Sequence, residues 1–173
     1  MDDTIDRILY DYEDDLSKDF DKYRNHVLRI YNYCLSIDDT PQNREKYAVA
    51  AAFHDLGIWT NHTFDYLNPS IKLAKTFLET QNKSEWIEEI TLMIDNHHKM
   101  TAYLGTYKNT VETFRKADWI DVSLGIKKFG LDRNIIKSMK TMYANKGFHV
   151  FLIKMFFKNL LINPFIPLPM FKK

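Results

Sequence analysis

One cysteine in 173 residues leaves no partner for an internal disulfide. Cys34 falls four positions after Ile30 on an otherwise apolar helical stripe, so it is expected to be a small core residue. The chain also lacks any stretch of roughly 20 uncharged apolar residues, the length a membrane-spanning helix needs. The closest window, Phe148 to Phe171, is interrupted by Lys154 and Lys158 and broken by Pro164, Pro167 and Pro169. No basic, then apolar, leader with a small-residue cleavage site opens the sequence, which points to a cytoplasmic location. There is little excess charge of either sign. A formal net charge of +1 supplies no general reason to invoke nucleic acid, although the N-terminus is acidic and the C-terminus basic. Repeats, linkers and low-complexity segments are absent as well.

Strict alternation over strand length is missing, while apolar residues recur at three- and four-residue intervals nearly everywhere. The expectation is an all-α, single-domain helical bundle over 1–173 with about seven or eight helices. A hydrophobic content of 45% argues for a packed core rather than disorder. Ile5, Ile8, Leu9 and Tyr12 mark a first helix, and Phe20, Tyr23, Val27, Ile30, Tyr31 and Cys34 a second. Residues 36–41 read as a turn. The alanine-rich run from Arg44 to Leu56 reads as a central buried helix ended by Gly57, with a loop over Ile58 to Asn68. Pro69 suits the first turn of the next helix, Ser84 the cap of the one after it, and Asp132 the cap of a later one. Phe148 to Leu161 forms the last helix.

Against this pattern, His26, His54, Asp55, His97 and Asp118 fall on or beside the apolar faces of four separate helical stretches. Ionisable side chains in a core must be paired or ligated, so convergence on one metal ion is the economical reading. Imidazole and carboxylate together suit manganese, iron, cobalt, nickel or zinc, with magnesium also admitted, and the lack of cysteine ligands argues against a closed structural zinc site. Two His and two Asp leave coordination positions open, where a bound water can have its pKa lowered to about 7. Neighbouring helix residues point about 100° apart, so His54 and Asp55 share a target only if the helix ends beside them.

In the settings Ala-Ala-Phe-His-Asp-Leu-Gly and Lys-Ala-Asp-Trp-Ile-Asp, the ordered set His26, His54-Asp55 and Asp118 resembles the HD-domain metal-dependent phosphohydrolases. The resemblance spans about Tyr23 to Ser123, within a motif-bearing core of about 20–125. It implies an all-α fold, His26, His54, Asp55 and Asp118 as ligands of a divalent metal, and hydrolysis of a small phosphorylated molecule such as a nucleotide. Subfamilies with extra histidines can hold a second metal or position phosphate, and Ile94-Asp95-Asn96-His97-His98 resembles such an insertion. The chain has Ile58-Trp59 where some branches have a lysine after the dipeptide, and Asn68-Pro69 where others have His-Pro. Those departures weigh against a full dinuclear site and the cyclic-dinucleotide branch.

Roles follow as expectations. Asp55 and His97 would aid proton movement, while His98, Arg115 and His62 are candidates for substrate contact. Arg115, three residues before Asp118, is set against the duller reading of a surface salt bridge. Asp121 could orient a ligand or merely pair with a lysine. Two other functions stay open on this scaffold: a metal-dependent hydratase of the cyanamide or nitrile type, and a catalytically silent nucleotide-binding regulatory module. The basic, aromatic C-terminal segment (Phe151, Lys154, Phe156, Phe157, Lys158, Phe171, Lys172, Lys173) reads as an ordinary amphipathic helix, with a membrane or acidic partner as its alternative. It is also where a homodimer contact is expected.

Overall fold

The computed structural model describes residues 3–165 together with Leu168 and Met170. Expectations resting on Pro167, Pro169, Phe171, Lys172 and Lys173 lie outside the described residues. No strand occurs among those described. The elements are α1 (Asp3–Tyr10), α2 (Glu13–Leu16), α3 (Phe20–Ile37), α4 (Pro41–Phe53), α5 (Gly57–Thr60), α6 (Leu67–Thr80), α7 (Ile87–Asn96), α8 (Lys108–Val122), α9 (Arg133–Met142) and α10 (Phe148–Ile162). Eight of these have eight residues or more, in line with the seven or eight helices expected; α2 and α5 are single turns.

The bundle is organised around α4. Pro41 fixes its first turn, where a missing N–H costs nothing, and every residue from Tyr47 to Phe53 is buried. Ala48, Ala50, Ala51 and Ala52 combine high helix propensity with short side chains, so α1, α3, α6, α7 and α8 can all pack against this one helix. Facing it, α3 lies along α8, and α7 bridges α6 and α8. The turn from α3 into α4 is tied by Asp38, whose carboxylate accepts from Thr40 N at 3.1 Å, Asn43 Nδ2 at 2.9 Å and the Tyr47 hydroxyl at 2.5 Å. Burial pushes its pKa up, but those donors and the Thr40 hydroxyl outweigh it and hold the group at about 2.

Three local expectations need correction. The central helix ends at Phe53, not Leu56, and Gly57 does not stop it: Gly57 opens α5. The region read as one loop therefore contains a helical turn, with α6 beginning at Leu67. Gly57 is required for close approach instead. A Cβ there would stand 2.6 Å from the Tyr66 carbonyl oxygen and 3.0 Å from Ser70 N. Its own N–H donates to Ser70 Oγ at 2.9 Å, locking α5 onto the start of α6. Ser84 makes no cap hydrogen bond; it starts a short 3-10 turn leading into α7. Asp132 does cap α9, accepting from Asn134 N at 2.6 Å.

Candidate metal centre

Ending α4 at Phe53 is what aims the histidine-aspartate pair. His54 still closes the helix through its N–H to the Ala50 carbonyl at 2.9 Å, and the chain then tightens, with Leu56 N bonded to Phe53 O at 3.1 Å. Adjacent side chains that a continuous helix would splay apart are thereby brought to one point. Tyr23 staples the turn from α3: its hydroxyl donates to the Ala52 carbonyl at 3.0 Å and accepts from Asp55 N at 3.3 Å.

His26 enters from the middle of α3, His97 from the C-terminus of α7 and Asp118 from α8. His26, His54 and His97 have no exposed surface, and Asp118 and Asp55 are only 2% and 4% exposed. His54 Nε2 stands 3.1 Å from His26 Nε2 and 3.3 Å from Asp55 Oδ2. The other oxygen of Asp55 is 3.5 Å from His97 Nε2, and Asp118 Oδ1 is 3.9 Å from His54 Nε2 and 4.0 Å from His26 Nε2.

The opposite edge of each imidazole fixes its tautomer. His54 Nδ1 donates to the Ala51 carbonyl at 2.8 Å and His97 Nδ1 to the Ile94 carbonyl at 2.6 Å, because a carbonyl can only accept. His26 Nδ1 donates to Asp121 Oδ2 at 2.7 Å. In the neutral rings all three Nε2 atoms therefore present lone pairs to one another and to two carboxylates. Asp55 Oδ1 and His97 Nε2 are buried with no hydrogen-bond partner. A knot of bare acceptors of this kind is costly alone and is satisfied by one central cation. Three overlapping sets of donor atoms fall within 4.8 Å of one another: His26-His54-Asp118, His54-Asp55-His97 and His97-His98-Asp118. The residues fit a divalent ion.

The carboxylates favour positive charge at this point, which protonated imidazoles supply when no cation does. Burial raises the Asp55 pKa, yet the His54, His26 and His97 imidazoles outweigh it and hold the carboxyl well below its usual range. Asp118, farther from those rings, is pushed up by burial. Burial lowers His26, but Asp121 and Asp55 overcome it, raising its basicity and its affinity for a cation. Asp121 is itself gripped by Arg29, which donates from Nε at 2.5 Å and from Nη2 at 2.8 Å. That grip and the His26 bond hold Asp121 well below the usual carboxylate range against the opposing effect of burial.

The remaining candidates separate. His98 lies beside His97, ring centroids 3.9 Å apart, and its Nε2 is 2.6 Å from the Tyr66 hydroxyl. Burial, then His97, depresses its pKa well below normal, so it is neutral at pH 7. His62 is exposed on the connection between α5 and α6. Arg115 does not reach the cluster with its charge: Nε and Nη2 donate to Glu112 at 2.7 and 2.6 Å, and Nη1 to the Lys99 carbonyl at 3.0 Å. Of its two readings, substrate contact and a surface salt bridge, the structure has an ion pair within α8, but a buried one. His149 donates from Nε2 to the Asp121 carbonyl at 2.9 Å.

Reasoning from sequence left Asp121 undecided and passed over Arg29, Tyr23 and Tyr66. A signal existed: Arg29 follows His26 by three residues and Asp121 follows Asp118 by three, so paired ionisable positions recur on two facing helices. The access side was also missed. A cavity of about 500 Å³ reaches Asp55 and Asp118 and is walled by Phe64, Tyr66, Trp119 and Leu152, Phe156 and Ile153 of α10. Phe148, at the start of α10, stacks on the His26 ring with centroids 3.9 Å apart.

A family model for the HD domain matches residues 23–125, a span that holds all five converging residues and Asp121. No curated protein and no solved structure matches the chain. With more than half its length matched, and with His26, His54-Asp55 and Asp118 in order within that span, the chain belongs to the HD domain family.

Proposed function

We propose that the protein is a divalent-metal-dependent phosphohydrolase acting on a small phosphorylated compound, with His26, His54, Asp55 and Asp118 as metal ligands. The observation that carries this reading is the set of three imidazoles whose Nδ1 edges are all occupied and whose Nε2 edges meet two buried carboxylates. When bound, the metal polarises the oxygen under attack and makes a water molecule acidic at neutral pH. Asp55 keeps its charge through the surrounding imidazoles and so fixes the centre. His97 Nε2, buried and without a protein partner, takes the proton of the water that adds to phosphorus. The same nitrogen returns it to the leaving oxygen as the P–O bond breaks. Wall residues of the cavity exclude bulk water around that transfer.

A second reading, hydration of a small uncharged nitrile, is favoured by one observation: no lysine or arginine lines the cavity among the described residues. The test for both is one experiment. Metal content of the purified protein is measured, and phosphate release from phosphomonoesters and nucleotides is followed beside loss of a nitrile substrate. His54→Ala is expected to lose the metal and all turnover with helicity intact. Undiminished turnover by a metal-free His54→Ala protein overturns the proposal, and nitrile loss without phosphate release moves it to the second reading.

A further inference from the structure

The wall of the cavity carries information about the substrate that the metal ligands do not. Beyond Asp55, Asp118 and His98, its lining is Phe64, Tyr66, Trp119 and Val122 and the inner face of α10, closed by Leu168 and Met170. The polar atoms on these walls are already engaged. The Trp119 indole N–H donates to the Lys99 carbonyl at 3.1 Å, and the Tyr66 hydroxyl is shared with His98. Three basic side chains are committed elsewhere, Arg115 to Glu112, Lys22 to Asp19 at 2.6 Å, and Lys127 over the Trp119 ring with Nζ 3.6 Å from its centroid, while Lys154 and Lys158 of α10 are exposed and do not line the cavity. Among the described residues, a polyphosphate chain would meet two carboxylates and no lysine or arginine along the lining, and a ribose would find few partners for its hydroxyls. Unpaired charge and unbonded hydroxyls are expensive in such surroundings.

Ile153 and Phe157 line the cavity and are also 55% and 57% exposed, so the opening runs along α10. The apolar surface continues outward through Leu161 and Ile162, which are 86% and 65% exposed. A volume of about 500 Å³ lies within the range of small-molecule sites, which bury most of their ligand.

We infer that the substrate is an amphiphile: one compact polar group seated at the Asp55-Asp118 end, and an uncharged apolar body lying against α10. This rests on the metal-dependent hydrolase reading and narrows its substrate from small phosphorylated compounds in general to a monoester with an apolar alcohol part. Recognition then comes from burial of hydrocarbon, which strengthens binding about fourfold per methylene.

The test uses the full chain with its metal content measured first. Quenching of tryptophan fluorescence is titrated with inorganic phosphate and with butyl, hexyl and octyl phosphate below their micellar concentrations, and with ATP as the polyphosphate probe. Affinity is expected to climb about fourfold per methylene along the series, and octyl phosphate to bind more tightly than ATP. Phe156→Asn, which adds no charge, should flatten the series while metal stoichiometry stays unchanged. Leu152→Asn serves the same purpose should the first variant misfold. A flat series, or tighter binding of ATP, on metal-loaded protein overturns the inference and leaves the hydrolase reading standing. A chain that retains no metal overturns the hydrolase reading, and this inference with it.

Discussion

Asp121 contacts no substrate and is not in the ligand set, yet its removal should be among the most damaging single changes. Its carboxylate joins His26 Nδ1 to Arg29, an arginine only 1% exposed. Asp121→Ala leaves that guanidinium buried without its counter-ion, a loss of about 3–5 kcal/mol, against a total stability of about 5–15 kcal/mol. It also frees the His26 ring to turn and makes its Nε2 less basic, for which the expected loss is about 10- to 100-fold in metal affinity. The two effects are separable. Urea unfolding of metal-free protein reads the first, and competition with a chelator reads the second. Replacing the whole pair, Arg29→Met with Asp121→Leu, removes both charges and should recover most of the stability, since a buried pair exchanged for apolar residues is often neutral or better. Metal affinity should stay low in that double variant. If affinity returns with stability, Asp121 is only a packing partner and its proposed hold on the His26 ring is refuted.

Two further predictions concern the frame around the site. Gly57→Ala should cost about 1–3 kcal/mol, because the added methyl meets the Tyr66 carbonyl and Ser70 N, which are backbone and cannot rotate away; an unchanged urea midpoint would contradict the close approach. Asp38 titrates at about 2 in the folded chain against an ordinary value of 3.8, so its contribution to stability is full above pH 4 and is lost as the pH falls through about 2. Asp38→Asn should therefore lower stability at neutral pH and flatten its decline between pH 4 and 2, read from thermal midpoints across that range.

Helices were the legible part of the fold because their signal is local. The stripes Ile5-Ile8-Leu9 and Tyr23-Val27-Ile30 fix buried faces through spacing alone, and every residue named in them is buried. The end of α4 was misread for the same reason. Gly57 has the appearance of a helix stop, but the demand on it comes from Tyr66, Pro69 and Ser70 across a tertiary contact that no local rule contains. Ser84 failed as a cap because its backbone belongs to a 3-10 turn.

At the site, ordered histidines and aspartates could be picked out since each breaks an apolar pattern, whereas charge pairing could not. Arg115 and Asp118 share a helix face by spacing, yet a guanidinium at the end of a long stem goes to the strongest acceptor within reach, which here is Glu112 one turn back. Arg29 has no apolar or motif signal of its own in the sequence, and its burial is matched by Asp121 arriving from α8. The cavity escaped notice for a further reason. Part of its wall is one face of α10, whose overall pattern is that of any amphipathic helix, and tertiary contacts such as Phe148 over His26 and Trp59 against Phe151 turn that face toward the cluster. A basic, aromatic C-terminal segment thus contributes to the centre through its aromatic side, with Lys154 and Lys158 left exposed to solvent.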